Sequence, residues 1–219
     1  MVETKVPNIK RKDKNKKTSI PLLNFLLVIA CVFLLIISTF VQIKIVHPII
    51  PHDVFSNNEL TSKDFWYTYF LIPQIPAVLF VTGLLGRKLG MTSVILYILL
   101  GLFVLPIFAL GGGVGYFMQY GFGYILAYIP AVSILGGILK EDYSFKNVII
   151  SVLYGVLAIH LLGIFYMLFL VVLKHGGLEF IKGWILTQSL LKLAYDYVLS
   201  VLVVYLAKYG NKFINYLIG

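Results

Sequence analysis

Pro21-Leu-Leu-Asn-Phe-Leu-Leu-Val-Ile-Ala-Cys-Val-Phe-Leu-Leu-Ile-Ile-Ser-Thr-Phe-Val-Gln-Ile43 is a run of 23 residues in which only Asn24, Ser38, Thr39 and Gln42 are polar. A helix needs about 20 largely apolar residues to cross a bilayer, so this run is long enough to span. It follows a basic region, as a secretory leader does, but its apolar stretch is too long for one and no small-residue cleavage site follows. Five more stretches of this kind lie downstream, at Phe65–Leu85, Met91–Leu110, Gly121–Leu139, Val148–Val172 and Gly183–Ala207. The expected fold is an all-α integral membrane protein, a bundle of six transmembrane helices.

Composition agrees. Of the 219 residues, 60% are hydrophobic and 12% charged, against about 25% charged in a soluble domain. The mean hydropathy is +0.94. Disorder is excluded, because it needs few aromatics and many charges. A single cysteine excludes a disulfide scaffold and a multi-cysteine metal site. The net charge of +9 is no nucleic-acid signal, because seven of the 18 basic residues sit in the first 17 positions. Such a tail anchors topology and touches anionic lipid.

The basic residues also set the orientation. The N-terminal tail, the Arg87–Lys88 loop, the Lys140–Lys146 loop and the C-terminal tail with Lys208 and Lys212 fall on one side of a six-span chain. By the positive-inside rule that side, with both termini, is cytoplasmic. Residues 1–19 read as a basic cytoplasmic tail, 20–209 as the six-helix transmembrane domain and 210–219 as a short cytoplasmic tail. The loops at 44–64, 111–120 and 173–182 then face outward. The first is placed to close over a cavity by its length and side alone. His47, His52 and Asp53 within it have no compact metal-ligand spacing, and no metal site is assigned.

The most unusual segment is 110–124, with glycines at 111, 112, 113, 115, 121 and 123 among Tyr116, Phe117, Tyr120, Phe122 and Tyr124. Clustered glycines let backbone approach a ligand closely, and aromatic rings supply flat apolar walls. Gln119 adds a polar group with no topological task. The alternative is a tight helix–helix turn with interfacial tyrosines. It is not a phosphate loop, since no Gly-Lys-Ser/Thr follows.

The sixth span carries Lys192 and Asp196, four residues apart on one helical face and able to pair. Thr187, Gln188 and Ser189 precede them. Ionisable groups at membrane depth face the bundle interior or a wet cavity. At about 1.5 Å per residue, Lys192 lies roughly 13 Å below the outer end of its helix, in the same outer half as the glycine segment. The two signals point to one outward-facing site, with Gly111, Gly112, Gly113, Tyr116, Gln119, Tyr120, Tyr124, Gln188, Ser189 and Lys192 as candidate contacts. An ion pair that only pins helix packing is the structural alternative, and His160 reads as a neutral histidine bonded to a neighbour. No nucleotide-binding or hydrolase motif is present, so no cofactor or catalytic role is assigned, and energy for uphill transport must come from a partner or an ion gradient.

Leu99-Leu-Gly-Leu-Phe-Val-Leu-Pro-Ile-Phe-Ala-Leu-Gly-Gly-Gly-Val-Gly-Tyr116, with Gly121-Phe-Gly-Tyr-Ile-Leu-Ala-Tyr-Ile-Pro-Ala131 and Gly83-Leu-Leu-Gly-Arg-Lys-Leu-Gly90, resembles the BioY family. Its members are biotin-specific S components of energy-coupling factor (ECF) transporters. The resemblance is specific over about Pro73 to Leu139 and looser elsewhere. It implies a multi-pass protein of the bacterial cytoplasmic membrane that captures biotin from outside and joins a transmembrane T protein and two ATPase subunits. It also implies a site built from the glycine-rich segment and the sixth span, where Lys192 matches the lysine of the family's Pro-Gly-Asp-x-x-Lys. Ser189 stands at the aspartate position, with Gln188 one place earlier. An S component for riboflavin or thiamine, a small intramembrane enzyme and a ligand-free structural partner remain as competing readings.

Overall fold

A computed structural model describes residues 14–48 and 61–218. The residues before Lys14, and His52 and Asp53 of the first expected outer loop, lie outside the described residues. The chain is mostly helical. Helix α1 covers Lys14–Phe40, strand β1 Ile43–Pro48, strand β2 Trp66–Leu71 and helix α2 Gln74–Phe103. Two shorter pieces follow, α3 at Phe122–Leu126 and α4 at Tyr128–Glu141. Then come α5 at Phe145–Leu173, α6 at Leu178–Trp184, a π turn at Ile185–Leu190 and α7 at Leu191–Ile218.

Among the described residues, five helical stretches are long and apolar enough to cross a membrane: Leu22–Phe40, Gln74–Phe103, Phe122–Glu141, Phe145–Leu173 and Leu178–Leu217. The expected count was six. The second and third predicted spans form one helical stretch that breaks at Gly86, whose φ of 75° and ψ of 177° are non-helical. This region of backbone space is essentially reserved for glycine. The chain reverses there. The Gln74 amide donates to the Tyr97 hydroxyl, a contact that a straight helix would hold about 35 Å apart. Likewise a Cβ on Gly90 would lie 3.0 Å from Thr82 Cα. Stretch α2 is therefore a hairpin of two antiparallel arms.

Other boundaries move for local reasons. The second span was expected to start at Phe65. Instead Trp66–Leu71 pairs antiparallel with β1, from Ile43 opposite Leu71 to Pro48 opposite Trp66, so the fold is not purely helical. Aromatic and β-branched residues favour a strand, and Pro73 biases Ile72 away from the helical region. Tyr69 and Leu71 turn inward while Trp66 and Phe70 point out, the two-residue period of a strand. The third span ends early, at Phe103, because Pro106 has no N–H to continue it. Helix α5 has a side-chain cap, the Ser144 hydroxyl accepting from Asn147 N–H at 3.3 Å.

Helix α2 sits centrally, packed against α1, α4 and α7. Val78, Leu79, Val94, Tyr97, Leu135 and Ile159 form part of the core. The outer faces are equally apolar: Phe25, Phe33 and Ile37 on α1, Phe165, Phe169 and Val172 on α5, and Val198 and Leu202 on α7 are exposed. Helices apolar all round are the mark of a membrane interior.

Candidate ligand-binding site

Several chain crossings meet at the end of the bundle that carries the β ribbon. There the structure encloses a cavity of about 480 Å³, within the range of small-molecule sites. Its wall combines the ribbon (Phe70), the start of α2 (Gln74 and Ile75), the glycine-rich turn (Tyr116 and Gly121), α3 and α4 (Tyr124 and Tyr128) and the last helical stretch (Trp184, Gln188, Lys192 and Asp196).

Of the ten residues expected from sequence, Tyr116, Tyr124, Gln188 and Lys192 line this cavity and six do not. The glycines 111–113 make the turn and do not form the wall. Gly111 and Gly113 have φ of 111° and 85°, and Phe108 and Gly111 bridge the turn through reciprocal backbone bonds of 2.8 and 2.9 Å. A Cβ on Gly112 would come within 2.6 Å of the Gly101 carbonyl oxygen. Gln119 is exposed. Tyr120 reaches the site only indirectly, its ring lying 5.6 Å from that of Trp184. Ser189 is buried behind the wall, where its hydroxyl and that of Tyr124 share a hydrogen bond of 2.6 Å.

That bond ties α3 to the π turn. A π turn inserts an extra residue into a helix and often marks a functional site, and here it carries Gln188 and Ser189. The Tyr124 ring is seated closely, because a Cβ on Gly163 of α5 would lie 2.6 Å from it. Tyr116 packs against Phe108 with ring centroids 4.6 Å apart. Burial pushes its hydroxyl pKa up, while a backbone hydrogen bond at Leu110 works the other way. The Tyr116 hydroxyl therefore stays neutral at physiological pH.

The ionisable groups pair differently from the pattern that spacing alone suggests. Lys192 Nζ donates to Gln188 Oε1 at 2.7 Å. Asp196 faces α5, with its Oδ2 3.4 Å from His160 Nε2. The two are close enough for an ionic contact, but the angles do not make a hydrogen bond, and Asp196 Oδ1 and both His160 nitrogens are buried without a hydrogen-bond partner. Across the cavity, Gln74 Nε2 donates to Thr39 Oγ1 at 2.9 Å, and the Thr39 and Tyr97 hydroxyls share a bond of 3.1 Å. This network joins α1 to both arms of α2.

Sequence reasoning did not single out Gln42, Gln74, Tyr128 or Trp184, all of which line the cavity. The argument that drew attention to Gln119 applies to Gln42 and Gln74 as well, since both are amides within predicted apolar spans. No group of three or more metal-ligating side chains occurs among the described residues.

Comparison with known proteins fits this architecture. The sequence profile of the BioY family matches residues 12–216. The chain belongs to the BioY family. A curated relative from Lysinibacillus sphaericus, the "Probable biotin transporter BioY", is 32% identical over 104 residues. That match takes in 44% of this BioY chain and about half, 53%, of the relative's length. A crystal structure of "the S-component for biotin from an ECF-type ABC transporter" superposes with a TM-score of 0.61 at 21% identity, covering 92% of this chain and 95% of that one. At that identity the likeness establishes the shared fold. With five membrane-capable helical stretches, this BioY chain is a multi-pass membrane protein.

Proposed function

We propose that this chain is the membrane-embedded substrate-binding (S) subunit of an ECF-type vitamin importer and that it captures biotin from outside the cell. The ribbon-end cavity carries this reading. Its lining is mostly apolar and aromatic, with a few convergent polar groups at Gln74, Gln188, Lys192 and Asp196, the composition of a small-molecule site. Tyrosine faces suit the fused rings and apolar stem of biotin, and the amide, ammonium and carboxyl groups suit its ureido ring and carboxylate. Family and relatives are transporter proteins, so no catalytic role is assigned.

The two arms of α2 count as two crossings in this proposal, giving six in all. The positive-inside argument places the Gly86 end, with both termini, in the cytoplasm of a bacterium, and the ribbon end outside. Residues 1–19 are the basic tail, 20–209 the substrate-binding domain and 210–219 the short C-terminal tail, although α7 continues as helix to Ile218. A transmembrane T protein and two ATPase subunits supply the energy, since the chain has no nucleotide-binding motif.

Equilibrium binding to detergent-purified protein tests the assignment, with desthiobiotin, riboflavin and thiamine as comparators. Saturable biotin binding, tighter than that of riboflavin or thiamine, is expected. Biotin binding no tighter than theirs overturns the reading.

A further inference from the structure

A second cavity lies at the Gly86 end of the bundle, and its rim is charged. Arg87, Lys88, Lys140, Glu141 and Asp142 all line it and are all exposed. Among the described residues the ion pairs are Lys182–Glu179 and His160–Asp196, so none of these five is paired with another. Two helices bring the cations together. A Cβ on Gly136 of α4 would lie 2.7 Å from Arg87 Cβ and 2.8 Å from Arg87 Cα, so the backbone of Arg87 rests directly on α4. Lys140 is four residues beyond Gly136, on the same face of that helix and about 6 Å further along its axis. Glu141 and Asp142 follow where α4 ends. The rim thus carries a cationic part and an adjoining acidic part, above the apolar side chains of Leu85 and Leu139.

A lone anion would face the two carboxylates, and a lone cation the three basic groups. A zwitterion whose phosphate and ammonium are joined by a two-carbon link matches both parts. We infer that the Gly86-end rim is a binding site for a phosphoethanolamine group. Arg87 offers its planar fork to the phosphate oxygens, and Lys140 and Lys88 add point charges. Glu141 and Asp142 accept N–H bonds from the ammonium, which has three to give. The rim lies where membrane helices end, the level at which phospholipid headgroups sit. The group arrives there as the headgroup of phosphatidylethanolamine or as a free solute, and the chemistry of recognition is the same. The inference is independent of the biotin reading, because the two cavities lie at opposite ends of the bundle.

The test measures lipid binding to detergent-purified, full-length protein by native mass spectrometry. Phosphatidylethanolamine, phosphatidylcholine and phosphatidylglycerol with the same acyl chains are the probes. Wild type is expected to bind phosphatidylethanolamine about tenfold tighter than the other two, since trimethylammonium has no N–H to donate and the glycerol headgroup has no cation. The double variant Arg87→Gln/Lys140→Gln is expected to weaken phosphatidylethanolamine about tenfold. Glu141→Gln/Asp142→Asn is expected to bind phosphatidylcholine as wild type does and to lose the preference between headgroups. Free phosphoethanolamine that displaces the lipid identifies a soluble ligand; lipid binding that withstands it identifies the headgroup. Equal binding of the three lipids by wild type overturns the inference, as does a folded Arg87→Gln/Lys140→Gln variant with unchanged affinity for phosphatidylethanolamine. If a variant does not fold, the wild-type ranking of headgroups decides alone.

Discussion

The bundle has a cavity at each end, and the larger is not the candidate site. At the Gly86 end about 940 Å³ is enclosed among the α2 reversal, the end of α4, Tyr143 and the last turns of α7. At the ribbon end the volume is about 480 Å³. The Gly86 end is bordered by Arg87, Lys88, Lys140, Glu141 and Asp142, all exposed. Its inner polar groups are occupied: Tyr143 OH donates to the Val204 carbonyl at 2.8 Å, and Asn211 Nδ2 to the Leu84 carbonyl at 2.9 Å. At the ribbon end, Asp196 Oδ1 is buried and unpartnered in the lining itself. Volume measures how loosely elements pack. An unsatisfied buried polar atom in a lining measures what a ligand can supply, and Asp196 Oδ1 puts one in the smaller cavity.

The strongest way to break this contrast is to remove one cation from each end. Lys192→Ala should weaken biotin binding by about 2 kcal/mol or more, roughly 30-fold in Kd, because a charge-assisted contact inside a partly buried site is lost. Arg87→Ala should leave Kd within about twofold, as an exposed substitution away from the site does. Titrations of both variants beside wild type check this. A 30-fold loss with Arg87→Ala, and none with Lys192→Ala, would exchange the roles of the two ends.

Stability and binding should also separate. Gly86 occupies backbone space that side chains avoid, yet a Cβ there would meet nothing within 4 Å. Gly86→Ala therefore carries a backbone cost alone, about 1–3 kcal/mol. The expected outcome is a lower melting temperature in detergent with biotin affinity kept within about threefold. An equal loss of affinity would mean that the reversal shapes the distant cavity as well.

Much of the membrane architecture was legible in the sequence, because apolar length is a local property that tertiary context does not overrule. The strand at Trp66–Leu71 was not, since an apolar aromatic run joined to a longer apolar stretch looks like more helix. The site was half legible for a related reason. Lys192 has Gln188 four residues before it and Asp196 four after, and sequence spacing cannot rank them. Asp196 faces His160, which lies on a different helix, 36 positions earlier in the chain. The glycines 111–113 signalled an unusual backbone correctly, but composition does not distinguish a turn that braces a wall from the wall itself.

A finer probe compares two tyrosine hydroxyls, one at each end. Tyr124 bonds Ser189 and so holds the π turn that carries Gln188 toward the cavity. Tyr143 bonds the Val204 carbonyl far from it. Each hydrogen bond is worth about 1 kcal/mol, so Tyr124→Phe and Tyr143→Phe should lower thermal stability by similar small amounts. Only Tyr124→Phe should also raise the Kd for biotin, by up to about fivefold, since the ring remains in the wall and only its tether is lost. Ser189→Ala should match it, and the double variant should be no worse than either single one, because both remove the same bond. Additive losses would instead mean that the Tyr124 hydroxyl reaches the ligand directly, moving it from a tether of the wall to a contact of the site.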